Sequence, residues 1–400
     1  ESKITNRSIF RYDLKEKVVE QSVIRIQARL MKEYYKYFSK YAKGKLPEKK
    51  VAWVTAFTPV EILEALDMVY YYPESYAAVI AASNQEQLLL EKSEDICLSR
   101  DCCSYSCCIQ GCLELEAGPR GVPPKPDILI ATNNQCNTLP NWWNLIAEKY
   151  KVPLIVIDYP GENTCTDIAF DYVTKQHKAL IATLEKLTGN KLCIDKLNEL
   201  IQNSQNSVKE WLKVIKHLKC REVRPTSLFD DINFLITARC KADTSDMYRM
   251  MEEELKEKPM SDENLIPIYW LGYPLWYHEE RYLSSLLKGC KIVGSNYITW
   301  WCLNYEGEDA YEKLFYAYNY TFLNLSQATR NERLKKSICE SGAKGAITLH
   351  NKSCKCDFVS ARDISIPQAE LEIDMIDRTF LDVDSAQRKV ALLKDMVCME

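Results

Sequence analysis

"DILIATNNQCN" runs from Asp127 to Asn137. Its first half is a short apolar run with β-branched residues, the pattern of a strand buried on both faces. Its second half carries Cys136, just where the strand should stop. "LPNWWNLIAEKY" follows as a helix, and "VPLIVID" at 152–158 repeats the strand pattern. Buried strands separated by helices are the signature of a parallel α/β sheet.

The same alternation extends in both directions. Upstream, "KKVAWVTAF" reads as a first buried strand and Pro59 opens the helix "PVEILEALDM", followed by "VYYYPES". The opening 45 residues have helical spacing, as do 165–219 and much of 227–257. A second strand series comprises "LIPIYWLGYP" at 265–274, "CKIVGSNYITW" at 290–300, "GAITLH" at 345–350 and "AELEIDM" at 369–375. The expected class is α/β, with two parallel-sheet domains of the Rossmann or flavodoxin type. The expected layout is an N-terminal helical segment at 1–47, a first α/β cluster-binding domain at 48–185, a helical connector at 186–262 and a second α/β cluster-binding domain at 263–400.

Composition narrows the function classes. The 400 residues are 46% hydrophobic and 27% charged, with a formal net charge of −4. No basic block points to nucleic acid, and no apolar run is long enough for a membrane span. The polar start "ESKITNRSIFRYDLKEKVVEQ" does not read as a signal peptide, so a cytoplasmic location is expected. No Walker "GxxxxGK[ST]" or dinucleotide-type "GxGxxG" segment appears, which assigns any ATP chemistry to a partner protein.

The unusual feature is cysteine. There are 17, five of them in "DCCSYSCCIQGC" from Asp101 to Cys112. A chain this long has no need of disulfides to make up for a small core, and an odd total leaves a thiol unpaired. Cys136, Cys165, Cys302, Cys354 and Cys356 all follow strand ends, where open parallel sheets bind ligands. Zinc takes four thiolates, commonly from close pairs. Here the candidate loops lie more than 200 residues apart and offer more sulfur than one zinc uses. Soft thiolates also suit iron–sulfur clusters. The local C-x₂-C-x₂-C-x₃-C-P run is absent, so any cluster would have to be assembled by the fold.

Several segments in order resemble the iron–sulfur subunits of the 2-hydroxyacyl-CoA dehydratase and benzoyl-CoA reductase family, over roughly residues 48–397. They are "AWVTAFTPVEILEALDM" with "YYPES", then "CSYSC", "TNNQCN", "YWLGYP", "LHNKSCK" and "ELEIDMIDR". The resemblance implies a [4Fe-4S] cluster on Cys103, Cys136 and Cys354, fed with electrons by an ATP-hydrolysing iron–sulfur activator dimer. The surplus of thiols is similar to the double-cubane branch, which implies an [8Fe-9S] cluster, a homodimer, anaerobic chemistry and low-potential reduction of small molecules such as acetylene, azide or hydrazine. On that reading Cys107, Cys302 and Cys356 complete six ligands, with Cys108 an alternative to Cys107 and Cys165 in reserve. The other expectation is a subunit of an acyl-CoA dehydratase or benzoyl-CoA reductase with one [4Fe-4S] cluster.

Further candidates surround these thiols. Glu74 in "YYPES" is a catalytic candidate as a proton relay, or else an ordinary loop acid capping the next helix. His350 is a second catalytic candidate, as a proton donor or a tuner of cluster potential, or else a packed histidine. Thr55 and Thr58 could bond a sulfur or cap a helix. Lys352 and Lys355 could offset thiolate charge or face solvent.

Overall fold

The computed structural model describes residues 34–44, 49–224, 227–277, 280–354 and 364–399. Two four-stranded sheets carry the fold. In the first, β1 (Val51–Val54), β2 (Val69–Tyr71), β3 (Ile128–Thr132) and β4 (Leu154–Ile157) lie in the order β2-β1-β3-β4. In the second, β5 (Ile266–Leu271), β6 (Cys290–Ser295), β7 (Gly345–Asn351) and β8 (Gln368–Ile373) lie in the order β6-β5-β7-β8. Every pairing in both sheets is parallel. The expected α/β class with two parallel-sheet units is therefore what the chain forms.

Strand order matters for function. From β1 the chain moves to β2 on one side, then returns to β3 on the other. From β5 it moves to β6, then returns to β7. Each sheet thus has a switch point, between β1 and β3 and between β5 and β7, where the loops leaving the strands diverge and open a crevice. The loops that follow β3 and β7 hold Cys136 and Cys354.

Local chemistry sets where elements begin and end. Asp127 accepts the Val51 N–H at 2.8 Å, which aligns β1 with β3. Buried Trp53 donates its indole N–H to the Pro124 carbonyl at 2.9 Å. One expectation needs correction: "CKIVGSNYITW" is not a single strand. The strand stops at Ser295, whose hydroxyl accepts the Tyr297 N–H and caps a helix over Asn296–Trp300. Within the N-terminal segment, 34–42 is helical, and Tyr34, Tyr35 and Phe38 pack into the core.

Long helices tie the two sheets together. Ile194–Leu218 packs against Ala242–Lys256. Trp211 on the former donates to the Ile298 carbonyl at 3.0 Å. Glu61, fully buried, accepts hydroxyl hydrogen bonds from Ser204 (2.7 Å), Tyr305 (2.8 Å) and Tyr318 (2.6 Å). A buried carboxylate is costly unless its oxygens are satisfied; here three hydroxyls from distant segments satisfy it. No helix among the described residues is long and apolar enough to cross a membrane.

Candidate iron–sulfur site

Cys103, Cys136 and Cys354 come from three separate segments of the chain and lie near enough for the charge on one to act on the others. Burial raises the Cys103 thiol well above its ordinary range, and nearby Cys354 and Cys136 raise it further. Burial pushes Cys136 up to about 12, again with Cys354 adding to the rise. The thiols therefore sense one another across more than 200 residues of sequence.

Two of the three sulfurs sit at helix starts. Cys103 is the residue before the helix Ser104–Leu115, and the N–H groups of Tyr105 and Ser106 counter the rise in its pKa. Cys136 precedes the helix Thr138–Tyr150, and the N–H groups of Leu139 and Thr138 act on it likewise. Unpaired N–H groups at a helix start favour negative charge on the sulfur. Cys354 follows β7, and its N–H is held by Asn351 Oδ1 at 3.3 Å.

A polar knot fixes the third loop against the first. The Ser353 hydroxyl lies 2.9 Å from the Ser104 hydroxyl and donates to Asp374 Oδ2. Asp374 Oδ1 also accepts the Ile376 and Asp377 N–H groups, each at 2.9 Å. Further out, Arg378 pairs with buried Glu86, and Arg100 bonds Asp377 at 3.3 Å. Lys352 lies 3.0 Å from Asp101 and over the Phe380 ring. Its charge thus serves the contact between the halves.

The donor set discriminates between metals. Among the described residues no three His, Cys, Asp or Glu side chains converge closely enough for a single metal ion. Three neighbouring thiols from separate segments make a soft donor set. They fit a multi-iron cluster, in which each thiolate takes a different iron. Thiolates bind the metal and the protons leave, so the raised pKa values mark where binding would release protons.

Glu74 stands beside this set, in the first turn of the helix Pro73–Ala82. Its Oε2 accepts the Ala56 N–H at 2.9 Å and its Oε1 accepts Gln135 Nε2 at 2.7 Å. Burial pushes its pKa up to about 7 against the pull of those two bonds. Glu74 in turn raises Cys136. Gln135, next to a candidate ligand, orients this acid; nothing in its sequence neighbourhood marks it for that role.

Other candidates lie elsewhere. The Cys107 thiol turns back to the preceding loop, donating to the Ser99 carbonyl at 3.5 Å, and its charge neighbour is Cys102. Cys108 neighbours Cys112 and Glu86. Cys302 is pushed up to about 12 by burial alone, with no second thiol contributing, and lines a different cavity of about 470 Å³ with Trp300, Phe322 and Arg333. Cys165 is exposed at the start of the helix Thr166–Thr188. His350 is exposed and bonds Glu370 Oε2 at 2.9 Å, because its position on β7 faces outward. Cys356 and Lys355 lie outside the described residues. Thr55 bonds Thr58 (3.1 Å) and Thr132 (2.9 Å), a buried hydroxyl cluster at the β1–β3 switch point.

Comparison with known proteins agrees with this architecture. The family model for the 2-hydroxyglutaryl-CoA dehydratase D-component matches residues 55–392. The (R)-2-hydroxyisocaproyl-CoA dehydratase alpha subunit of Clostridioides difficile is 28% identical over 375 residues, covering 88% of this chain and 92% of its own. The (R)-phenyllactyl-CoA dehydratase alpha subunit of Clostridium sporogenes is 28% identical over 319 residues, covering 77% of each. A benzoyl-CoA reductase subunit of Thauera aromatica is 25% identical over 381 residues, covering 86% of this chain and 88% of its own. With its two switch-point crevices and a family match spanning both sheets, the chain belongs to the 2-hydroxyglutaryl-CoA dehydratase D-component family.

Proposed function

We propose that the chain is the iron–sulfur subunit of a 2-hydroxyacyl-CoA dehydratase, holding one [4Fe-4S] cluster on Cys103, Cys136 and Cys354. The observation that carries this reading is the meeting of those three thiols beside a buried acid, Glu74. The relatives' names supply the substrate class: dehydratases of 2-hydroxyacyl-CoA esters. Dehydration breaks the C2–O and C3–H bonds of the thioester and releases water and a 2-enoyl thioester. When bound, the cluster supplies one-electron chemistry and an iron open to an oxygen ligand. The chain's own residues do the rest. Helix starts at Ser104 and Thr138 offset negative charge at the sulfurs, Glu74 holds a proton for the departing hydroxyl, and the surrounding aromatic rings exclude water.

This reading replaces the small-molecule reductase expectation. A double cubane requires six thiolates, whereas Cys107 donates to the Ser99 carbonyl and Cys302 lines another cavity. The dehydratase relatives are named as alpha subunits, which supports an unlike partner subunit over a homodimer. The resemblance further implies delivery of electrons by an ATP-hydrolysing iron–sulfur activator.

Iron and acid-labile sulfide per chain, measured after anaerobic purification, provide the test. About four of each, falling sharply in Cys136→Ser and unchanged in Cys302→Ser, supports the assignment. About eight irons, or iron loss on replacing Cys302, restores the double-cubane reading; zinc alone removes both.

A further inference from the structure

Beside Glu74 lies a cavity of about 30 Å³ whose walls include Tyr105, Tyr273, Trp276, Tyr297 and Trp301. It adjoins the three thiols: Tyr105 immediately follows the loop of Cys103, and Cys354 contributes to the raised pKa of Tyr105. On the measure by which about 10–15 Å³ holds one water it has room for about two, and so for one small alkyl group. Apart from Glu74, no carboxylate lines it, and no cationic side chain does among the described residues.

The wall is built to keep that size. Trp276 is held at two points: its indole N–H donates to the Tyr105 hydroxyl at 2.6 Å, and its backbone N–H donates to the Met375 carbonyl at 3.1 Å. The Trp276 and Tyr297 rings meet edge to face at 6.0 Å, Tyr297 meets Trp301 at 5.7 Å, and Trp301 stacks on Phe57 at 4.7 Å. All of these residues are buried. Rings packed in this way have no free rotamer to turn into, so widening the cavity breaks contacts on every side.

We propose that this cavity seats the side chain of the 2-hydroxyacyl group, and that Trp276, held by Tyr105, restricts the substrate to short uncharged acyl groups of lactoyl size. The inference rests on the dehydratase reading and refines its substrate. A branched C4 or phenyl side chain needs several times the space. A side chain ending in a carboxylate would be buried there with no cation among the described lining residues to balance it.

The test is calorimetric titration of the anaerobically purified, cluster-loaded protein with lactoyl-, 2-hydroxyisocaproyl-, 2-hydroxyglutaryl- and phenyllactyl-CoA, with free CoA as reference. The expected result is that lactoyl-CoA binds about tenfold or more tighter than the phenyllactyl and hydroxyglutaryl esters. Trp276→Ala should then improve phenyllactyl-CoA binding at least several-fold while changing lactoyl-CoA little. Tyr105→Phe, which releases the indole without opening a hole, should move the ranking in the same direction by less, and serves if Trp276→Ala does not fold. Equal affinities across the wild-type series, or tightest binding of the phenyllactyl ester, overturns the proposal while leaving the dehydratase reading intact. If no thioester binds better than free CoA, the dehydratase reading itself falls, and the proposal with it.

Discussion

At the scale of single residues, Glu74 and His177 illustrate two uses of a buried titratable group. Glu74 is buried near Cys136 and keeps two hydrogen bonds to its oxygens. Glu74→Gln preserves its shape and removes its proton. Turnover with the activator and a 2-hydroxyacyl-CoA is expected to fall roughly 10²- to 10⁴-fold, with iron content unchanged; full activity in this variant would reduce Glu74 to a structural acid. His177 is fully buried, and its Nε2 lies 2.8 Å from the Tyr159 hydroxyl. Burial holds its pKa down at about 4, below the ordinary 6.5. A base with a lowered folded pKa contributes stability above its unfolded pKa and loses it as pH falls from 6.5 towards 4. Urea unfolding at pH 7 and pH 5 should therefore show wild type losing about 2 kcal/mol more than His177→Gln. Equal losses would mean that the imidazole is protonated in the folded state.

At the scale of elements, Gly111 decides how the helix carrying Cys103 at its start lies in the molecule. A Cβ at this position would sit 1.8 Å from the Leu89 carbonyl oxygen on the neighbouring helix Glu86–Glu94. Backbone cannot yield as a side-chain tip does, so the helices must separate. Gly111→Ala is expected to lower stability by about 1–3 kcal/mol and to reduce iron retention, because Ser104–Leu115 positions both Cys103 and Ser104. A variant with wild-type melting temperature and iron content would show that the contact can relax. Elements were also the most legible level of the sequence. Most strands read as short apolar or alternating runs, and seven of the eight stood out from the sequence. The missed one, β2, is only "VYY", too short and aromatic to separate from the helix that Pro73 opens. The strand expected to continue past Ser295 failed for a local reason, the Ser295 cap.

At the scale of the whole molecule, the site depends on contacts that no local pattern reveals. Cys103, Cys136 and Cys354 were singled out by the family resemblance of the short segments that hold them, "CSYSC", "TNNQCN" and "LHNKSCK". The Tyr105–Trp276 bond, the Ser104–Ser353 contact and the Gln135–Glu74 bond were not, since each joins residues from separate loops that only the fold brings together. Cys302 also follows a strand and a short helix, and the chain carries it to another cavity. The contact between halves gives a further prediction. Asp374→Asn keeps the size of the side chain but weakens the charge-assisted bonds to Ser353, Ile376 and Asp377. Its expected effect is faster iron loss to a chelator, by several-fold, with little change in far-ultraviolet circular dichroism. Unchanged chelation kinetics would place the strength of the joint elsewhere.

That two sulfurs come from the first half of the chain and one from the last fifty or so residues has a consequence for biosynthesis. A ribosome-bound nascent chain can complete the first sheet while still lacking its third ligand. On the proposed ligand set, the three donors are complete only once the segment after β7 has been made. A cluster held by the proposed ligands would clip shut a loop of more than 200 residues, a closure whose entropic cost the folded protein has already met.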